Sequence, residues 1–223
     1  MHNINLIFTT HKESGNCNSI ELHEIIERIN PEIIFEELSY SNFNKVYKEN
    51  SLTTLETNAI KKYLQNYDIE HIPVDTYNLP NSYYKNLEFM LERITSSIMI
   101  ESRDLRNVLD DQLLLISQYG FNYLNSDRND ELLGKYIILK EKILNKINND
   151  NLFQIASLEK EVIEKRENEI IDNIYSFSEE HVYDQAIIFI GSGHRKAMIR
   201  KIYERKTQEK IELKWTLFNN KAI

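Results

Sequence analysis

The sequence predicts an α/β fold: a mostly parallel central sheet flanked by helices and interrupted by a large helical insertion. Three observations lead to this prediction. Short, apolar, β-branched runs alternate with segments of helical period over residues 1–81. The stretch that follows has helical period alone, and a strand–loop–helix–strand pattern returns near the end. Short strands separated by helices favour parallel pairing through right-handed crossovers.

Residues 1–81 supply the first half of the α/β domain. The predicted strands are residues 4–8 (INLIF), 32–35 (EIIF) and 69–75 (IEHIPVD), and the predicted helices are residues 19–30 and 53–67. Ser19 is the expected N-cap of the first helix, and Pro31 stops it.

Residues 82–151 form the predicted insertion. Helical period covers residues 84–100, 103–119 and 127–147, and a further helix follows at 157–177. Gly120 and Gly134 are the glycines of this stretch, and the run Asn148-Asn149-Asp150-Asn151 is the clearest break.

Residues 152–223 complete the same composite domain. The run QAIIFI at 185–190 is almost continuously apolar, as expected of a central strand covered on both faces. A helix is predicted over residues 196–205, and the alternating segment 211–218 predicts a last strand nearer an edge.

Net charge, cysteine content and the lack of long apolar runs exclude several classes of function. The 223 residues include 35 acidic and 27 basic side chains, a net charge of −8 that disfavours binding to nucleic acid. The single Cys17 excludes an intramolecular disulfide and a cysteine-rich zinc site. No apolar run reaches the roughly 18–20 residues of a membrane span, and no signal peptide is recognisable, so we expect a cytoplasmic protein. Oligomeric state is left open.

Residues with acid–base or metal-binding chemistry follow each predicted strand. They are His11 and Glu13, Glu36 and Glu37, Asp75, and His194. Because the carboxyl ends of parallel strands meet at one edge of a sheet, we expect these groups to converge there. Two histidines and a carboxylate suit Zn, Mn, Co or Fe with open positions for water, and they equally suit general acid–base catalysis.

The turn after the fourth strand suggests an anion site. Gly191, Ser192 and Gly193 give a flexible backbone, and Arg195 stands at the start of the next helix. A helix N-terminus favours negative charge, so we expect a substrate carboxylate, a phosphate or a developing oxyanion here.

Two stretches carry a family resemblance. TTHKESGNCNSIELHEIIERINPEIIFEEL, and KRENEIIDNI followed by AIIFIGSGHRKAMIRKI, resemble the TraB/GumN/TIKI group, which has the EreA/ChaN-like fold. The resemblance covers about half of the chain. It implies that His11, Glu37 and His194 are catalytic and metal-binding, and that Arg166 and Gly191 belong to the same site.

The resemblance implies a metal-dependent hydrolase that splits an amide, peptide or ester bond in a small molecule or peptide. Arg166 would bind negative charge, and Asp75 or Glu13 would assist. Phe8 stands where the group has glycine, and Glu167 where asparagine or aspartate is more usual. Two alternatives therefore stay open: a non-catalytic ligand-binding or regulatory module, and a metal-free hydrolase that uses histidine and carboxylate.

Overall fold

A computed structural model describes residues 2–75, 79–206, 211–218 and 222. One sheet, with strand order β3-β2-β4-β1-β5, joins five strands whose pairings are all parallel. The strands are β1 (His2–Thr9), β2 (Ile33–Glu36), β3 (Glu70–Pro73), β4 (Gln185–Gly191) and β5 (Leu213–Leu217). The predicted α/β class is confirmed, with β4 at the centre of the sheet and β5 at an edge.

Eight helices surround or extend from this sheet within the described ranges. They are α1 (Ser19–Ile29), α2 (Tyr40–Tyr47), α3 (Leu55–Tyr63), α4 (Asn81–Ser96), α5 (Ile100–Leu124), α6 (Asp127–Ile147), α7 (Asp150–Glu180) and α8 (Arg195–Arg205). A single 3-10 turn, Ser192–His194, joins β4 to α8. The N-cap of α1 is Asn18 and not Ser19, because the Asn18 side chain accepts hydrogen bonds from the first turn.

Both faces of the sheet are buried, and alternation along β1 decides which side chain goes where. Leu6 and Phe8 pack with Ile174 of α7 and Met198 of α8. Ile7 points to the other face, where it joins the core formed with α1 and α3. Helices on both faces explain why β4 reads as a continuous apolar run.

The helices after residue 81 build a second core. Met90, Leu105 and Ile143 pack with Leu152, which lies in the first turn of α7. The expected break between α6 and α7 is confirmed, since Asn148 ends α6 with a left-handed backbone and Asn149 caps α7. We call α4, α5, α6 and the N-terminal half of α7 the helical extension. No helix in the described ranges is long and apolar enough to cross a membrane.

Helix α7 belongs to both cores. Its 31 residues correspond to about 47 Å of helix. Ile155 packs in the extension, whereas Ile170 and Ile174 pack against the sheet. The helix begins at the predicted boundary near residue 151 and continues without interruption to Glu180, so it connects the extension to the sheet.

Gly120 interrupts α5 where the sequence predicts a helix end. Its φ of 52° and ψ of −134° are non-helical, and the helix resumes for one short turn. A Cβ atom at Gly120 would lie 2.5 Å from the Asn16 carbonyl oxygen. Asn16 also donates its backbone N–H to the Ser117 carbonyl at 2.9 Å. The break thus lets the loop that follows β1 dock closely on α5.

Asn125, at the end of α5, continues the hydrogen-bond ladder of β1. Strand β5 pairs with β1 only as far as Leu6. Beyond that point, the Asn125 side chain accepts from the Phe8 N–H at 2.9 Å and donates to the Phe8 carbonyl at 2.9 Å. The amide therefore replaces a strand residue and fixes the extension to the end of β1.

Candidate functional site

Glu37, directly after β2, is the centre of a polar cluster at the carboxyl edge of the sheet. Its Oε2 accepts a 2.7 Å hydrogen bond from the backbone N–H of Gly191, at the end of β4. Its Oε1 accepts from Arg166 Nη2 at 3.0 Å and lies 3.7 Å from His194 Nε2. Parallel pairing of β2 with β4 brings these distant residues to one place, as the sequence predicts.

Arg166 bridges two carboxylates from α7. Its Nε donates to Asp75 Oδ2 at 3.0 Å, and its Nη2 bonds both Asp75 and Glu37. Burial opposes the charged guanidinium, but the hydrogen bond to Asp75 and the charges of Asp75 and Glu37 raise the pKa of Arg166. Arg166 is thus a permanent cation that holds the ends of β2 and β3 together.

A buried carboxylate orients His194. Its Nδ1 lies 2.8 Å from Glu167 Oε1, and since a carboxylate only accepts, Nδ1 carries the proton. Glu167 is in turn paired with Lys201 of α8 at 3.3 Å. This arrangement directs His194 Nε2 towards Glu37. The sequence singled out Glu167 only as a departure from a motif, but the structure makes it the residue that holds the histidine.

His11 forms a second histidine–carboxylate pair at the same edge. Its Nδ1 lies 3.2 Å from Glu56 Oε1, which also accepts from the Thr9 hydroxyl at 2.7 Å. The hydrogen bond and charge of Glu56 outweigh desolvation and raise the pKa of His11 to about 9. Burial alone would raise the pKa of Glu56, but the interactions with His11 and Thr9 lower it. The two side chains are therefore a charged pair at neutral pH.

The sequence did not single out Glu56. It lies in the first turn of α3, directly behind the Thr54 cap, where an acidic residue is commonly explained by the helix dipole. Its contact with His11 depends on the tertiary approach of α3 to the end of β1. The one sequence signal that could have found it is an acid in a first turn whose residues are otherwise apolar or small.

His11 and Glu37 line one small cavity at the sheet edge. Glu56 and Thr57 of α3 and Phe189 of β4 line it with them. Its volume of about 20 Å³ is enough for one water molecule. The side chain of His11 is 61% exposed, whereas that of Glu56 is 10% exposed. The cluster thus presents a histidine to solvent and keeps its carboxylates inside.

A neighbouring carboxylate, Glu36, is fully occupied. It accepts from His71 Nδ1 at 2.8 Å and from the Tyr47 hydroxyl at 2.8 Å. Burial, followed by the charge of Glu36, raises the pKa of Tyr47. Glu36 is only 3% exposed, so this trio anchors α2 to β2 and β3, and Glu36 also lines the small cavity at the sheet edge.

The structure places Glu13 outside this cluster. Glu13 is exposed and accepts hydrogen bonds from the backbone N–H of Ser19, at 3.1 Å, and from the Ser19 hydroxyl. The loop after β1 turns towards α1 here, so the carboxylate stabilises the start of that helix. The expectation that Glu13 assists catalysis gains no support from its position.

The turn at residues 191–195, which was expected to bind an anion, makes contacts within the protein instead. Arg195 is 7% exposed and forms ion pairs with Asp127, at 3.3 Å, and with Asp130, so it is not available to a substrate. Ser192 is buried, and its carbonyl accepts from Asn129 at 3.4 Å. Gly191 has an ordinary φ of −53°.

Gly193 has nothing within 4 Å of the position a Cβ would take. The described glycines with positive φ are Gly15 and Gly120, in the docked loop and helix. Within the turn, Gly191 therefore contributes its N–H to Glu37, whereas no tight contact or unusual backbone requires glycine at 193.

The residues expected to bind a metal are His11, Glu37 and His194. In the described part of the chain, no group of three or more His, Cys, Asp and Glu side chains is arranged to hold a metal ion. Both oxygens of Glu37 already accept hydrogen bonds, and the Arg166 cation lies against it. These donors do not fit a metal in this arrangement. The ligand set of His11, Glu37 and His194 stays a prediction.

Comparisons with family models, curated proteins and solved structures found no match for this chain. The resemblance to the TraB/GumN/TIKI group therefore stays a prediction from two motifs.

Proposed function

We propose that the protein is a metal-free hydrolase that splits an amide, peptide or ester bond at the carboxyl edge of the sheet. The observation that carries the proposal is the His11–Glu56 pair, with an exposed imidazole held by a buried carboxylate beside Glu37. Such a pair supplies a proton donor and an acceptor within one site, which is what hydrolysis requires.

His11 is suited to the role of general acid. Its raised pKa of about 9 keeps the imidazole protonated at neutral pH. Glu56 fixes Nδ1, which leaves Nε2–H directed away from the pair and open to a leaving-group oxygen or nitrogen. Since the side chain is 61% exposed, a substrate can reach it.

The remaining cluster supports the chemistry from the other side. Arg166 keeps Glu37 and Asp75 in place next to His194. In the reaction, water oxygen bonds to the carbonyl carbon and gives its proton to a carboxylate of this edge. The bond to the leaving group breaks as His11 protonates that group.

The test is an assay with p-nitrophenyl acetate and alanine p-nitroanilide, with and without EDTA, Zn²⁺, Mn²⁺ or Co²⁺. We expect turnover that EDTA leaves intact, and we expect His11→Gln to lower turnover of the anilide by about 100-fold or more, because its leaving nitrogen needs a proton. The rate should fall as the pH rises through about 9, where His11 loses its proton. The matched control is His181→Gln, an exposed histidine at the end of α7, which should keep the wild-type rate.

Two outcomes would overturn the proposal. Activity that requires a stoichiometric metal, and that is lost with the metal in His194→Ala, would establish a metal-dependent hydrolase instead. No turnover by a folded wild-type protein on either probe under any of these conditions would favour the non-catalytic module.

A further inference from the structure

One oxygen of Glu56 is buried without a hydrogen-bond partner. Oε1 accepts from both Thr9 and His11, whereas Oε2 has no hydrogen-bond partner among the described residues. The side chain is 10% exposed and the residue 8% exposed, so bulk solvent does not satisfy this atom. Native proteins rarely leave a buried charged oxygen unpaired, because the desolvation penalty is large.

The small cavity at the sheet edge lies against this residue. Glu56 and Thr57 line it from α3, and Glu37 lines it from the end of β2. A volume of about 20 Å³ is enough for one water molecule. Water can donate hydrogen bonds, and Glu56 Oε2 is the buried acceptor of this edge that has no hydrogen-bond partner among the described residues.

We propose that the cavity binds one water molecule through Glu56 Oε2 and that Glu56 is the base which takes a proton from this water as it attacks the substrate. The inference rests on the proposed hydrolysis. It extends that proposal by naming the position of the nucleophile and a catalytic residue that the sequence did not reveal.

Glu56 and His11 together account for the protons of this step, since one accepts a proton and the other donates one. The water oxygen forms a bond to the carbonyl carbon while Glu56 Oε2 takes one water proton. The bond to the leaving group then breaks, and His11 gives its Nε2 proton to that group. Solvent afterwards protonates His11 and removes the proton from Glu56. The products are the acid and the alcohol or amine.

The first experiment needs no substrate. A high-resolution crystal structure of the wild-type protein should show a water within hydrogen-bond distance of Glu56 Oε2, and a long-lived water should give a nuclear Overhauser effect at the Thr57 amide. A cavity without water, or a Glu56 Oε2 bonded to a protein group, would overturn the inference. If a protein without this water still hydrolysed the probes, and His11→Gln abolished that activity, the proposed function would be retained without the water site.

The second experiment separates a base from a residue that merely holds His11. With p-nitrophenyl acetate, Glu56→Ala should lower the rate by about 100-fold or more, and added formate should restore part of it because formate replaces the missing carboxylate. Glu56→Gln should also abolish the acidic limb of the pH–rate profile. Circular dichroism establishes that each variant is folded.

Glu13→Gln is the matched control, since it makes the same chemical change on an exposed acid of the adjacent loop and should leave the rate unchanged. Two results together would overturn the base role. The first is a folded Glu56→Ala protein whose lost activity formate does not restore. The second is a Glu56→Gln protein whose pH–rate profile keeps its acidic limb. If the wild-type protein holds the water but hydrolyses neither probe, both the base role of Glu56 and the proposed function are overturned.

Discussion

Single residues at the sheet edge are held by partners that come from distant parts of the chain. Arg166 of α7 pairs with Asp75 after β3, and Lys201 of α8 pairs with Glu167. Burying a carboxylate is costly unless a cation or several donors compensate it. The paired acids are therefore fixed in position, which is the condition for a defined polar site.

The pair of His11 and Glu56 predicts a particular pH dependence of stability. The folded pKa of His11, about 9, exceeds the ordinary 6.5, so its contribution is complete below pH 6.5 and is lost as the pH rises through 9. The lowered pKa of Glu56 makes its contribution complete above 4.5, and this contribution is lost as the pH falls below that value.

Urea unfolding at several pH values checks this. The free energy of unfolding of wild type should exceed that of His11→Gln by about 1 kcal/mol near pH 5.5, a small value because the exposed histidine is screened by solvent. The difference should vanish near pH 10. A difference that grows with pH would contradict the ion pair.

Removing the cation of Arg166 should be costly. Arg166→Met removes the guanidinium that bridges the buried carboxylates of Glu37 and Asp75, and we expect a loss of about 3 kcal/mol in the free energy of unfolding at pH 7. The control is Arg200→Met, because Arg200 forms an exposed ion pair on α8 and should change stability by about 0.5 kcal/mol or less. Equal losses in urea titrations would contradict the bridging role.

Sequence patterns predicted some of the residues of this site and missed others, and the difference has a physical reason. His11, Glu37 and His194 were predicted together because each follows a strand, and parallel strands share a carboxyl edge. Glu56 and Lys201 were missed because each resembles an ordinary charged residue of an amphipathic helix. Their partners are set by tertiary packing, about which residue type and spacing say little.

Elements were predicted well wherever burial imposes a period. Helix α6 begins and ends at the predicted residues, and β4 has the predicted central place. Helix α2 was missed because only Val46 of its eight residues is buried, so no apolar period is visible. It depends instead on the Ser39 cap and on the bond from Tyr47 to Glu36.

The break in α5 gives a paired prediction at the level of one helix. Gly120→Ala forces an L residue to a φ of 52° and a contact of 2.5 Å with Asn16, so thermal unfolding should show a loss of about 2 kcal/mol or more. Gly134→Ala, in open space on α6, should gain about 0.5–1 kcal/mol from helix propensity. A neutral Gly120→Ala would show that the loop does not depend on this contact.

On the scale of the whole molecule, α7 joins the extension to one face of the sheet, and α5 joins it to the other face through Leu115 and Ile116. Glu161 is exposed and lies between the residues of α7 that serve the two cores. Glu161→Pro should cost about 3 kcal/mol and divide thermal unfolding into two transitions, whereas Glu161→Ala should unfold in one. Calorimetry decides, through the ratio of van't Hoff to calorimetric enthalpy. One shared transition in the proline variant would show that other contacts couple the cores.

The amide of Asn125 has a consequence for anyone who shortens this chain. The amide forms hydrogen bonds with the backbone N–H and carbonyl of Phe8, which lies beyond Leu6, the last described residue of β1 that pairs with β5. A protein from which residues 82–151 were deleted would keep every strand but expose that N–H and carbonyl to neighbouring molecules. Uncovered strand edges recruit other strands, so such a deletion should self-associate even though its sheet is intact.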